Sequence, residues 1–376
     1  MSAKKTDSAK AEKNVQKKTG KAACKKAACK KTAAPAEKTA AGKKASKKIK
    51  AAILGFGGMG HCHASQYAEQ KDVELVAVCD IDPAKMELDN MTINIGNTGK
   101  TETGSLHKYL CYEDLIKGEP DLAYIDICLP TDLHCEYAVR AMQDGFNVLC
   151  EKPMALNSKD AEKMLKVSRE TGKFLMIAQC LRFGEDFNAI KKAYDTGKYG
   201  KLLRLSMRRV GGFPGGWFRD VKRSGGALMD LHLHDIDFII YMLGMPESLI
   251  CYGSTVKSGG IDDSISCYCY PDGGPQVSSE GSWARANFAG TVAAVFEEAT
   301  MEIGPNGLTI YQMDKPVKTV AMKGKNMYFN EIAYFAKCVK TGRKPETSNP
   351  ESTLDTIRII ELEEKSAKAG GKKIKL

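Results

Sequence analysis

Ile53-Leu54-Gly55-Phe56-Gly57-Gly58-Met59-Gly60 joins an apolar, strand-forming run to three glycines spaced G-x-G-x-x-G. Between a strand and a helix, this spacing makes a dinucleotide-binding turn. Gly55 allows the tight turn, Gly57 lets backbone approach a pyrophosphate, and Gly60 permits close packing of helix on strand. A helix beginning near Met59 would aim unpaired N–H groups at the phosphates. Phe56, Gly58 and Met59 therefore join the glycines as candidate cofactor-binding positions.

A second strand-like run, Val73–Cys79, leads into Asp80, 25 residues after Gly55. A carboxylate at this distance accepts hydrogen bonds from the adenosine ribose 2'-OH and repels a 2'-phosphate. The following Ile81, Asp82 and Pro83 bring no arginine, so the expected cofactor is NAD, with NADP second. Asp80 and Asp82 also suit the start of a turn and the capping of a helix at Pro83, a use of aspartate that competes with the cofactor reading.

The charge of the chain is unevenly spread. Residues 1–50 hold seventeen lysines, no arginine and three acidic residues, a local +14, so the remainder of this +10 chain carries −4. Rich in lysine and alanine and poor in large apolar residues, residues 1–48 are expected to be disordered. Without aromatic residues or arginine, their expected contact is nonspecific and salt-sensitive binding of polyanions. The segment lacks the apolar centre of a secretory signal and the arginines of a mitochondrial presequence. No apolar run reaches the length of a membrane span. The thirteen cysteines are odd in number and scattered through strands and helices, which suits reduced thiols in a cytoplasmic protein. Cys24, Cys29 and the Cys62 between His61 and His63 lack a complete four-ligand spacing, so no metal is expected.

From residue 49 to 178, short apolar strands (Ile49–Leu54, Val73–Cys79, Leu122–Cys128, Asn147–Cys150, Phe174–Ala178) alternate with helical stretches such as His134–Asp144 and Ser158–Thr171. That alternation predicts an α/β domain with a doubly wound parallel sheet. Thr92–Gly104, rich in Gly, Asn and Thr, reads as a loop insertion. Over residues 179–376 the pattern changes to a helix at Phe187–Thr196 and seven strands, with Asp-Gly and Asn-Gly turns at Asp272 and Asn306. This predicts an α+β domain with a largely antiparallel sheet, closed by helices at Phe329–Lys340 and Ser352–Lys368.

Two further motifs carry candidate chemistry. Cys150-Glu151-Lys152-Pro153 ends a strand at the carboxyl edge of the parallel sheet, where ligands bind in such folds. A lysine there can donate to a substrate oxygen and favour alkoxide formation. In Gly225–Asp237, the residues Met229, Leu233, Ile236, Ile240 and Leu243 form an apolar helical stripe, with Asp230, His234 and Asp237 on a neighbouring face. Asp230 one turn before His234 predicts a carboxylate bracing a general base. Read instead as a strand, the segment would put Asp230, His232 and His234 on one face as metal ligands, a reading that the helical stripe opposes.

Together, Gly55-x-Gly57-x-x-Gly60, Pro130-Thr131-x-x-His134, Glu151-Lys152-Pro153, Arg182-Phe183 and Asp230-x-x-x-His234 resemble the glucose-fructose oxidoreductase and inositol dehydrogenase family (Gfo/Idh/MocA), from about residue 49 to the C-terminus. The resemblance implies a Rossmann domain followed by an open-faced sheet domain, and NAD(P)-dependent oxidation of a secondary alcohol on a sugar or cyclitol. It also implies homo-oligomers built through that sheet. Lys152 would position the reacting hydroxyl and tune its acidity, and His234 would accept the proton with Asp230 as its partner. Pro130, Thr131, His134 and Glu151 would line the nicotinamide end. Arg182, Trp217 and His232 would meet substrate, His232 standing where many members have a small residue. Two other readings stay open: transient oxidation of a glycoside with return of the hydride, and a non-catalytic NAD-binding regulator.

Overall fold

A computed structural model describes residues 47–93 and 96–376. The expected disorder and polyanion contact of the lysine-rich segment, with Cys24 and Cys29, lie outside the described residues, Lys47 and Lys48 apart. Six parallel strands form the first sheet, in spatial order His107–Tyr109, Val73–Cys79, Ile49–Leu54, Tyr124–Ile127, Asn147–Glu151, Leu175–Ala178. The central strand Tyr124–Ile127 and even the edge strand Leu175–Ala178 are buried at every position. Such continuous burial follows from helices covering both faces of a parallel sheet and explains their unbroken apolar runs. Strand order reverses beside Ile49–Leu54, which pairs with Val73–Cys79 on one side and Tyr124–Ile127 on the other. The loops at the carboxyl ends of these strands therefore open a crevice.

The second sheet has nine strands, ordered Lys318–Val320, Gly307–Tyr311, Thr300–Gly304, Ala284–Phe296, Leu202–Gly212, Gln276–Ser282, Asp263–Cys269, Ser248–Ser254, Ile374–Lys375. Every pair is antiparallel except Leu202–Gly212 with Gln276–Ser282. Both domain classes accord with the sequence reading. Differences lie in detail. Ala284–Phe296 is one thirteen-residue strand where only Thr291–Phe296 was expected, because its polar first half pairs with Leu202–Gly212 through a register shift. The Thr92–Gly104 insertion contains a two-residue hairpin, Thr92–Ile93 with Gly96–Asn97. The edge strand His107–Tyr109 has too few residues to show a period.

Helix Met327–Thr341 comes from the chain's second half yet packs on the first sheet: Ile332, Phe335 and Ala336 share a core with Ile53, Phe56, Tyr124 and Met176. Helix Pro350–Lys368 packs on helices Ser158–Thr171 and Leu233–Leu243 and on strand Ser248–Ser254.

Arg182 holds these layers together from inside. It is 1% exposed. Its Nε and Nη2 donate to Asp237 Oδ2 and Oδ1 at 2.7 and 2.6 Å, while Nη1 donates to Ser352 Oγ at 2.7 Å and Thr347 O at 3.1 Å. Arg182 thus has no free donor face for a ligand, and the expected substrate contact is corrected: a bidentate, buried pair ties the exit of the first sheet to two helices of the second domain. Removing one partner of such a pair leaves a stranded charge, at a cost of about 3–5 kcal/mol. Asp237→Ala should therefore lower the unfolding free energy read from urea denaturation by an amount in that range, and an unchanged free energy would contradict the role.

Candidate active site

The glycine turn is built as its spacing requires. Gly55 has φ +94°, and a Cβ there would lie 2.7 Å from the Cys128 carbonyl oxygen. A Cβ on Gly60 would press into the Gly55 carbonyl. Gly57 is different: its φ of −84° is open to any residue and nothing lies within 4 Å of a Cβ placed there. The constraint at Gly57 is free space, as expected where a ligand's phosphates must approach. Helix Gly58–Tyr67 follows with no side-chain N-cap and no acidic residue in its first turn, so Gly58, Met59 and Gly60 offer N–H groups to an anion.

Asp80 underpins this turn. Its Oδ2 accepts the Phe56 N–H at 2.8 Å and its Oδ1 accepts the Asp82 N–H at 2.9 Å. Capping of the Pro83 turn falls to Asp82, which accepts from Ala84 N. Lys85, unremarked in the sequence, brings its Nζ to 3.3 Å from Asp80 Oδ1. The carboxylate retains acceptor capacity for a ribose hydroxyl, and the residues present fit a dinucleotide.

At the next strand ends, Pro130 and the buried Thr131 open the Thr131–Leu133 turn. His134 does not face the crevice. Its Nδ1 lies 2.7 Å from Pro153 O and its Nε2 2.8 Å from Leu129 O, so it clasps the two loops together behind the site. Burial lowers its pKa, and the two carbonyl contacts only partly oppose this. Glu151 is equally enclosed; its Oε2 accepts the Lys152 N–H at 2.9 Å.

Lys152 is the meeting point of the domains. Nζ donates to Asp230 O at 2.8 Å and to Asp230 Oδ1 at 3.0 Å, with both side chains slightly exposed. The expected Asp230–His234 brace is corrected here: the carboxylate's partner is Lys152. The reason is local. Residues Leu228–His232 form a π-helical turn before helix Leu233–Leu243, and the wider turn takes Asp230 out of the i, i+4 relation with His234. Sequence spacing assumed a regular helix and could not see this.

Among the described residues His234 has no carboxylate partner, and the charge of Lys152 acts on it. Its Nδ1 has the Cys180 thiol at 4.0 Å. Burial and then the positive charges of Lys152 and Arg209 hold its pKa well below 6.5, leaving a neutral imidazole. Arg209, not singled out in the sequence, thus helps to keep His234 neutral. Arg209 is itself paired with Asp235, at 2.8 Å.

His232 faces away from the crevice. Nε2 is 2.7 Å from Ser279 Oγ and Nδ1 3.3 Å from Ser264 Oγ, and burial drives its pKa down to about 3. Gly281 makes room for it, since a Cβ there would reach 2.5 Å from the histidine Cβ. The expected substrate contact of His232 is therefore corrected to a pin between the π-turn and the second sheet. Trp217 is half-buried, stacks on Phe218 at 3.9 Å and lies near Arg223, which bridges to Asp132 at 3.1 Å. This bridge ties the aromatic loop to the Thr131–Leu133 turn.

Residues 49–179 match the family described as "Oxidoreductase family, NAD-binding Rossmann fold", and residues 187–302 match the GFO/IDH/MocA C-terminal domain. The chain is 26% identical over 318 residues to inositol 2-dehydrogenase of Rhizobium meliloti (strain 1021), covering 78% of this chain and 89% of that one. It is 24% identical to myo-inositol 2-dehydrogenase of Thermotoga maritima, covering 84% and 99%. The solved myo-inositol 2-dehydrogenase of Lactobacillus plantarum shares the fold at a TM-score of 0.73, with 24% identity over 88% of this chain and all of that one. With the glycine turn, the Glu151-Lys152-Pro153 strand end and both domains in place, the chain belongs to the GFO/IDH/MocA family of NAD-binding oxidoreductases.

Proposed function

We propose that the protein is an NAD-dependent dehydrogenase moving a hydride between a secondary alcohol of a sugar or cyclitol and the nicotinamide. The observation that carries this reading is the Lys152 ammonium, fixed at the carboxyl edge of the parallel sheet beside the neutral His234. NAD supplies the hydride acceptor. Lys152 Nζ donates to the reacting oxygen and stabilises the negative charge that grows on it. His234, uncharged, takes the hydroxyl proton. Asp230 holds the ammonium in place. The inositol dehydrogenases named above support a cyclitol or sugar as substrate, and the half-buried Trp217 offers an apolar face to a ring.

Asp80 favours NAD over NADP, but Lys85 beside it neutralises part of that charge, so the preference is expected as a ratio and not as a complete block. Among the described residues no helix is long and apolar enough to cross a membrane. The eleven cysteines described are all free thiols, which supports a cytoplasmic setting. We assign a homo-oligomeric contact to the open face of the second sheet, where Ile265 and Tyr311 are exposed beside Ser278 and Thr291. The lysine-rich segment is assigned nonspecific polyanion contact.

Lys152→Ala should bind NAD as the wild type does while turnover, followed as NADH absorbance with a panel of inositols and sugars, falls by about 10²–10⁴-fold. Unchanged turnover would remove Lys152 from the chemistry. Gly57→Ala and Gly60→Ala should separate binding from folding. The first keeps the thermal midpoint and weakens NAD by about tenfold, equal to 1.4 kcal/mol; the second lowers the midpoint, since its new methyl meets backbone. Because a base works only when unprotonated, the depressed His234 pKa predicts that the acid limb of kcat/KM for alcohol oxidation lies below pH 6.5. A limb at or above that value would exclude His234 as the base.

A further inference from the structure

Beneath the site lies a group of ionisable side chains that hydride transfer does not use. His63, on helix Gly58–Tyr67, is fully buried. Its Nδ1 is 3.0 Å from Asp126 Oδ2, and its Nε2 is 2.9 Å from Glu151 Oε1, close but without hydrogen-bond alignment. Glu331, from helix Met327–Thr341, is also fully buried, with Oε1 3.9 Å from the same Nε2 and neither oxygen partnered among the described residues. The Tyr67 hydroxyl donates to Asp126 Oδ2 at 2.8 Å and lies 2.9 Å from the Tyr124 hydroxyl. The Cys128 thiol is 3.6 Å from Nδ1, and the Tyr328 ring is 6.3 Å from the imidazole. Among the described residues the charged groups paired with His63 are all carboxylates, while Lys152 and His134 also act on the charge of Glu151.

Three carboxylates cannot all be ionised in a dry interior around one imidazole. The geometry allots the protons. Both ring nitrogens of His63 face carboxylates, so a neutral ring would turn a lone pair on one of them, whereas an imidazolium donates to Asp126 and sets its positive charge 2.9 Å from Glu151. Glu331 faces no donor and has the least support for a charge. We propose that His63 is an imidazolium held between Asp126 and Glu151, with Glu331 beside it as a neutral acid, and that this cluster is a positioning device which keeps Glu151 ionised to hold the Lys152 backbone. The Glu151 Oε2 contact with Lys152 N–H is the link from the cluster to the ammonium. Charge on the carboxylate strengthens that bond roughly twofold over a neutral one.

The ionisation tendencies agree with this allotment. Burial lowers the His63 pKa, but the Asp126 charge overrides it and the net direction is well upward. Burial raises Glu331 well above its ordinary value. Burial also pushes Glu151 upward, yet the contact with His63 brings the net direction down.

The positioning role rests on the dehydrogenase reading, whereas the protonation of Glu331 can be read without turnover. A group whose folded pKa is raised gives stability that is full below its unfolded pKa and lost as pH rises through the folded one. Glu331→Gln has no proton to lose. It should therefore match or exceed the wild-type thermal midpoint at pH 7, with the difference widening toward pH 8.5. A lower midpoint for this variant, or one equivalent of divalent metal in the purified wild type that is absent from the variant, would overturn the cluster as a proton-holding device.

His63→Gln removes the cation and leaves Glu151 to take up a proton as pH falls. Its kcat should fall at least tenfold below wild type at pH 6 and recover as pH rises, with NAD affinity within about threefold, the equivalent of 0.65 kcal/mol. A kcat profile superimposable on the wild type would overturn the positioning role. Absence of turnover in the wild type would strike at the dehydrogenase reading, leaving the Glu331→Gln midpoint to decide the cluster.

Discussion

The contact between Lys152 Nζ and Asp230, through both its carbonyl and its carboxylate, is the constraint on which the site depends. It joins the end of a parallel strand to the first turn of a helix that packs beneath a different sheet. Neither domain holds this pair alone: the Lys152 ammonium comes from the first, and the His234 imidazole from the second. Fixing their separation requires that the strand end and the π-turn be rigid independently. The strand end is clasped by His134 and by the Glu151 bond to the Lys152 backbone, and the π-turn is pinned by His232 to Ser279. Side chains that seemed to belong to ligands thus serve as the mounts for those that meet them.

That distinction marks the limit of what could be read from the chain alone. The glycine turn, Asp80, the Lys152 strand end and the order of the two domains were legible because each rests on short-range rules: steric freedom at Gly55, a period of two or of 3.6, and an acidic residue at the next strand end. Roles assigned to Arg182, His232 and the Asp230–His234 pair were not. Arginine on an exit loop and histidine on a helix carry no sign of what lies opposite, and here the opposite groups are Asp237, over fifty residues away, and Ser279. The π-turn left no periodic trace, because the apolar stripe from Leu233 onward is regular whichever way Leu228–His232 winds.

Electrostatics shows a similar division of labour. His234 in the second domain is made neutral by burial and by the cations Lys152 and Arg209, while the first domain hides its negative charge, Asp126 and Glu151, around His63. Positive charge at Lys152 and negative charge one layer below are arranged along the same strand ends. Solvent is excluded from the lower layer, so these charges act on one another at low dielectric and are weakly screened by salt.

Helix Met327–Thr341 gives this arrangement a temporal aspect. Its residues Ile332, Phe335 and Ala336 complete the core under the cofactor sheet, and Glu331 enters the same interior. The parallel-sheet layer, although its six strands are contiguous in sequence, is therefore not a unit that synthesis can finish before the second sheet begins. During translation its lower face waits uncovered for some hundred and fifty residues, and a chain stopped short of residue 327 would present that apolar face to whatever it next meets.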